Sequence, residues 1–251
     1  MSVSTVAAAR WVDRWERQQQ RYAIDREEAF TVIADIVEGV TADRRAPLVL
    51  DLGSGPGSLA ARLARRMPRA RVVAVDADPR LLELGRAYYG PAVRYVEAVI
   101  GEPGWLDAAG TAGPVDAAVS TTALHYLSER TLRRVYRDLA GRLRPGGVLV
   151  NCDHICPDSA KLGELALHIG RRRAEREPAV ADDDWETWWS GVAADPELAP
   201  LFSAHRHHRH PRCEGNDLTL SGHLALLREA GFEEAGAVWQ FGNSHVLVAV
   251  R

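Results

Sequence analysis

The sequence predicts an α/β fold built on a doubly wound, mainly parallel sheet, and three observations carry that expectation. Short apolar runs at 48–52, 71–76, 93–98, 115–120 and 148–152 alternate with segments of helical periodicity. That order generates strand–helix–strand units and a parallel sheet covered on both faces. The first run empties into a glycine-rich turn, Gly53-Ser54-Gly55-Pro56-Gly57. Two final runs, 234–240 and 245–250, flank Gly242-Asn243-Ser244, which reads as a hairpin and makes the last strand antiparallel.

Each element has its own signal. Residues 11–40 read as helical, with Ala29, Phe30, Val32, Ile33, Ile36 and Val37 mostly on one face. A helix over 59–67 is stopped by Pro68. Asp78-Pro79 opens another, with proline at the first helical position, and Gly90-Pro91 ends it after Tyr88. A helix over 129–143 stops at Pro145-Gly146-Gly147. From 156 to 217 the alternation breaks into a partly helical stretch, rich in Arg and Asp, that carries Trp185, Trp188 and Trp189. It reads as an insertion over the sheet rather than a second domain. Residues 218–230 then form a helix capped by Gly231. The chain accordingly divides into a helical segment (1–46), an α/β core (47–155), the insertion (156–217) and a closing helix with hairpin (218–251). It shows no internal repeat and no low-complexity tract.

Bulk properties narrow the function classes. At 251 residues, 46% hydrophobic and 26% charged, the chain can bury a substantial core. A net charge of -3 gives no field to gather polyanions, which disfavours nucleic acid as the main partner. No apolar run approaches the roughly 20 residues of a membrane span, and the first ten residues lack a signal-peptide core. Three cysteines suit a reducing compartment better than a disulfide framework. The expectation is a cytoplasmic protein of enzyme size, with no membrane partner; a homodimer is compatible with these features.

The glycine turn points to a nucleotide-like ligand. Glycines let the backbone approach a ligand where a Cβ would clash, and the helix opening near Ser58 aims free N–H groups into the turn. Asp76 closes the second strand, where a carboxylate can accept hydrogen bonds from a ribose. Asp51, Asp76, Ala98, Ser120 and Asp153 all fall at strand carboxyl ends, the rim where such sheets bind ligands. Gly53, Gly55 and Gly57 alternate, whereas a dinucleotide fingerprint would place its third glycine at Ser58.

Four motifs together resemble the class I S-adenosylmethionine-dependent methyltransferases, a Rossmann-like family. They are the segment 51–57, the acidic strand end Val75-Asp76, the stretch 120–126 (Ser-Thr-Thr-Ala-Leu-His-Tyr) and Leu143-Arg144-Pro145-Gly146-Gly147. The likeness covers roughly 47–153 and the closing hairpin. It implies S-adenosyl-L-methionine as cofactor, with Gly53, Ser54, Gly55 and Gly57 along its methionine and ribose part and Asp76 on the ribose hydroxyls. Ala77 would lie against adenine. Where many relatives carry an Asp after the third strand, this chain reads Glu97-Ala98-Val99-Ile100. Backbone groups of Ala98 or Val99, or the Glu97 carboxylate, are the substitutes. Tyr22 and Arg26 could fold over the donor as leading helices do in similar enzymes, or lie on a solvated helix face.

The remaining candidates each carry two readings. His125 is a general base or substrate-orienting donor, or else a histidine packing its loop. Asp153 and His154 either touch substrate or cap the following segment. The run 205–210 (His-Arg-His-His-Arg-His) with Cys213 could bind a metal, yet its spacing fits no established zinc pattern and its arginines repel a cation. An anion-binding surface or a plain solvated loop suits it as well, and no metal is assigned. Trp185, Trp188 and Trp189 form either core or an acceptor-binding wall. Cys152 and Cys156 read as core or near-core thiols.

The resemblance thus implies methyl transfer to a small-molecule acceptor in secondary metabolism, with the insertion as acceptor pocket or lid. Two rivals stand beside it: a cyclisation or rearrangement assisted by the bound sulfonium, and a non-catalytic nucleotide-sensing module.

Overall fold

The computed structural model describes residues 3–23, 25–111, 113–176, 183–205 and 215–251. Within them, seven strands form one sheet: β1 (Leu48–Leu52), β2 (Arg71–Asp76), β3 (Val93–Glu97), β4 (Val115–Thr121), β5 (Leu143–His154), β6 (Glu234–Phe241) and β7 (Ser244–Val250). Their order is β3-β2-β1-β4-β5-β7-β6. The first five pair in parallel, while β7 runs antiparallel to both β5 and β6. Strand order reverses between β1 and β4, so the carboxyl ends of these two flank the crevice where such sheets hold ligands. The doubly wound, mainly parallel sheet expected from the sequence is the observed one.

Both faces of the sheet are covered. On one lie α2 (Arg26–Val40), α3 (Ser58–Arg66) and α4 (Pro79–Tyr89), which bury Phe30, Ile33, Leu59, Leu63 and Leu82 against Val49, Val72 and Val119. On the other lie α5 (Trp105–Ala108), α6 (Glu129–Arg142) and the helix Leu220–Ala230, which bury Trp105, Leu132, Leu139 and Leu227 against Leu50, Leu52 and Leu149. Every residue of β1 is buried, as a strand covered on both faces requires. Each fully buried Leu or Val contributes about 1.5–3 kcal/mol relative to exposure. No helix among the described residues is long and apolar enough to cross a membrane.

Most expected elements shift by only one or two residues at their ends, and two differ by more. The helical region 11–40 is two helices, α1 (Thr5–Tyr22) and α2. Trp11, Val12 and Trp15 of α1 pack against α4 and the insertion, whereas Phe30 and Ile33 of α2 pack on the sheet. One straight helix cannot serve both directions, and the chain turns at buried Asp25, which pairs with Arg173. Strand β5 starts at Leu143 rather than 148, because Leu143 pairs with Val115 before residues 144–147 slip out of register. The insertion holds α7 (Ala160–Arg176), α8 (Trp185–Ala194) and α9 (Ala199–Ala204). With the helix Leu220–Ala230 as α10, ended by Gly231 at φ 100°, the series closes at a hairpin turning on Gly242 at φ 58°.

Candidate active site

The turn after β1 is held by backbone bonds and one carboxylate. Gly53 and Ser54 donate their N–H groups to the Val75 carbonyl (2.9 and 3.1 Å). Asp76, at the end of β2, accepts from the Gly55 N–H through Oδ2 (2.7 Å) and from the Asp78 N–H through Oδ1 (2.8 Å). Its carboxylate therefore shapes the glycine turn, and each oxygen retains a second lone pair for a ligand. Burial pushes the Asp76 pKa up, against the pull of those N–H groups. Gly53 has φ 66°, and a Cβ there would lie 2.4 Å from the Ala123 methyl, so only glycine lets the two loops meet.

Three of the residues expected on the donor stand behind the wall rather than on it. Asp51 is 1% exposed and accepts from the Ala60 N–H (2.9 Å), which pins the start of α3 to the end of β1. Burial pushes its pKa up to about 7, opposed by the Ala60 bond and reinforced by the nearby charge of Asp76. Ser120 is buried and donates to the Leu52 carbonyl (2.9 Å). Gly57 sits at φ 88° against the Tyr95 ring, where a Cβ would come within 2.9 Å.

A cavity of about 670 Å³ opens over the turn, within the range that holds small ligands and cofactors. Gly53, Ser54, Gly55, Asp76, Ala77, Ala98 and Val99 line one part of it. Tyr22, Arg26, His125 and His154 line the rest, together with Trp15, Gln19 and Trp185. Trp15 arrives from α1 and would be 3.1 Å from a Cβ on Gly55. Its part in the site lacked a sequence signal, because α1 comes into contact with the turn only through tertiary packing. Gly85 of α4 was missed as well: a Cβ there would stand 2.0 Å from the Pro56 carbonyl oxygen.

His125 and Asp153 form a dyad. The His125 Nδ1 lies 2.7 Å from Asp153 Oδ1, and the His125 main-chain N–H donates to Oδ2 (3.1 Å). Asp153, 4% exposed, also accepts from the His154 N–H (2.9 Å). It thus fixes the ring and its loop together, and an Nδ1–H directed to the carboxylate leaves the Nε2 lone pair available. The His154 ring lines the cavity, and burial pushes its pKa down. Asn216, another residue without a sequence signal, donates its side-chain amide to the Leu127 carbonyl (2.8 Å) and its N–H to the His125 carbonyl (3.3 Å).

The tryptophans divide. Trp188 is 1% exposed and packs edge-on against Trp15 (5.0 Å between centroids) and Trp11 (5.9 Å), so it is core. Trp189 packs between Trp188 and Phe202 beneath the Arg80 guanidinium. Trp185 lines the cavity, and its main-chain N–H donates to the Tyr22 hydroxyl (3.2 Å). Arg26, 8% exposed, pairs with Glu16 and lies over the Phe30 ring (4.5 Å). Cys152 is buried, and burial pushes its thiol up to about 12, while Cys156 is exposed. Of the run 205–210 only His205 falls within the described residues; His207, His208, His210 and Cys213 lie outside them.

Comparison with known proteins places this geometry. Residues 49–147 match the model of a methyltransferase domain. The chain is 35% identical to the trans-aconitate 2-methyltransferase of Azoarcus sp. (strain BH72) over 191 residues, 76% of this chain and 64% of that protein. It is 32% identical to the enzyme of the same name from Streptomyces coelicolor, covering 68% of this chain and 55% of that one. The chain thus spans less than two thirds of the length of these relatives. The magnesium protoporphyrin IX methyltransferase of Synechocystis PCC 6803, solved with bound SAH, shares the fold at a TM-score of 0.56 and 17% identity, over 96% of this chain and 94% of that one. The domain match spans β1 through the slip in β5, the same stretch that carries the glycine turn, Asp76 and His125, so residues 49–147 are a methyltransferase domain with the fold of S-adenosylmethionine-dependent methyltransferases.

Proposed function

We propose that the protein transfers a methyl group from S-adenosylmethionine to a small-molecule acceptor in secondary metabolism. The carrying observation is one continuous cavity that joins the Gly53–Gly55 turn and Asp76 to the His125–Asp153 dyad.

The residues present fit the donor. Asp76 reaches the cavity and Asp51 lies just behind it, and burial raises the pKa of both, so a neighbouring cation would stabilise their ionised forms. Asp76 would hold the ribose hydroxyls, Ala77 and Val99 would flank the adenine, and the backbone at Ala98 would meet its edge. Tyr22 and Arg26 would close the donor site from α1 and α2. When bound, the donor supplies an electrophilic methyl on a cationic sulfur. The protein's part is alignment, exclusion of water and a base at His125 Nε2. By accepting from Nδ1–H, Asp153 selects the tautomer in which Nε2 carries the lone pair, and it stabilises the imidazolium that forms. In this reading α8 of the insertion contributes the acceptor wall through Trp185.

Calorimetric titration with S-adenosylmethionine and its demethylated product, against NAD as control, tests donor binding. Mass spectrometry of the product tests the reaction. Gain of one methyl group supports methyl transfer, whereas an isomer of unchanged mass supports a rearrangement. Donor binding without turnover of any acceptor supports a sensing module.

A further inference from the structure

The loop after β4 begins on a strained residue. Thr122 has φ 47°, and among the described residues it is the one non-glycine with positive φ. In the left-handed region a Cβ crowds its own backbone, and a branched side chain there is a steric outlier. The conformation is imposed from both sides. The Thr122 N–H donates to the Cys152 carbonyl (2.9 Å) at the end of the β4–β5 pairing. The next residue, Ala123, sets its methyl against Gly53, and three residues on His125 meets Asp153. The chain must turn sharply at 122 to reach both contacts. Glycine would make that turn free of strain, so the presence of threonine is accounted for by its side chain.

That side chain bonds to nothing in the protein. Thr122 lines the cavity, and its hydroxyl has no hydrogen-bond partner among the described residues. Position along the sheet indicates what meets it. The strand order β3-β2-β1-β4 sets the carboxyl ends of these strands in one row. Under the proposed function the adenine lies at Ala77 and Val99, after β2 and β3, and the ribose lies on Asp76 at the end of β2. The remaining part of the donor, its amino-acid tail, then extends towards the ends of β1 and β4, where Gly53 and Thr122 stand. A hydroxyl can donate to the carboxylate of that tail or accept from its ammonium group.

From these observations we infer that the Thr122 hydroxyl binds the amino-acid tail of the donor, and that the strained backbone beneath it lowers stability in exchange for this contact. This rests on the methyltransferase reading and adds to it a binding residue outside the glycine turn and Asp76. Strain held at a ligand site has a distinctive consequence: releasing it strengthens the fold and weakens the site together.

The test is calorimetric titration of the full chain with S-adenosylhomocysteine and with methylthioadenosine, which has the same nucleoside and sulfur but no amino-acid tail. Thr122→Ala should weaken S-adenosylhomocysteine about tenfold, the loss expected for one hydrogen bond. Thr122→Ser keeps the hydroxyl and should bind within about threefold of the unaltered chain. Methylthioadenosine should bind all three chains alike. Thr122→Gly should also weaken S-adenosylhomocysteine about tenfold, yet raise the Tm of the unliganded chain by about 2–4 °C as the strain is released. A merely structural residue would not move stability and affinity in opposite directions. Thr122→Ala binding as tightly as the unaltered chain, Thr122→Ser binding as weakly as Thr122→Ala, or a parallel loss for methylthioadenosine overturns the role of the hydroxyl. A Thr122→Gly variant that melts no higher overturns the link to strain. Each of these leaves the methyltransferase reading in place. No binding of S-adenosylhomocysteine by the unaltered chain overturns that reading, and the inference with it.

Discussion

The two ends of the cavity are built by different means. The end proposed for the donor comes from one contiguous stretch in which backbone does most of the work: β1, a turn of positive-φ glycines, the start of α3, and Asp76 twenty-one residues beyond Gly55. The end proposed for the acceptor is assembled from side chains on the loop after β4, the end of β5 and α8, segments far apart in the sequence. A backbone cradle tolerates little change but is indifferent to most side chains. A side-chain wall can be rebuilt by substitution while the donor end is left alone.

Four expected outcomes bear on that contrast, the largest first. Trp188→Ala removes a fully buried ring that links α8 to α1, and should lower stability by about 4 kcal/mol in a denaturant melt. A small loss would mean that the insertion is not anchored as described. The next outcome concerns Asp51. Its folded pKa of about 7 lies above its ordinary value, so the native state binds more protons than the unfolded chain between about pH 4 and 7. Stability should therefore be full below that window and decline as pH rises through it, by up to about 1.4 kcal/mol per unit. Asp51→Asn should flatten the decline, read from melting temperature against pH.

Asp153→Asn should lower kcat about a hundredfold while affinity for the donor changes less than about threefold, because it acts only at the acceptor end. A comparable loss in donor affinity would break the division between the two ends. Asp76→Ala should do the reverse. It leaves the Gly55 and Asp78 N–H groups without their acceptor and should weaken donor binding by about 2 kcal/mol, read by calorimetry.

The same contrast explains what could be read from the sequence. The succession of strands and helices and the glycine turn were legible because their signals are local: apolar runs, alternating glycines, an acid at a strand end. Even there, Asp51, Gly57 and Ser120 carried the spacing of ligand contacts yet act behind the cavity wall, bonding to Ala60, abutting Tyr95 and bonding to Leu52. Spacing identifies a turn but not which side of it faces the ligand. Trp15, Gly85 and Asn216 were invisible because their roles exist only once distant helices have docked. The break between α1 and α2 was hidden for a related reason. Periodicity continues through it, and only the two different packing surfaces show that the axis must turn.

Asn216 fastens the chain leaving the insertion directly to the loop that bears His125, with Gly215 adding a bond to the Tyr126 carbonyl (3.1 Å). Under the proposed function, acceptor choice and base placement are thereby mechanically linked. An engineer who swaps this insertion for one from another scaffold must preserve that amide clasp, or the transplanted specificity arrives with its imidazole out of alignment.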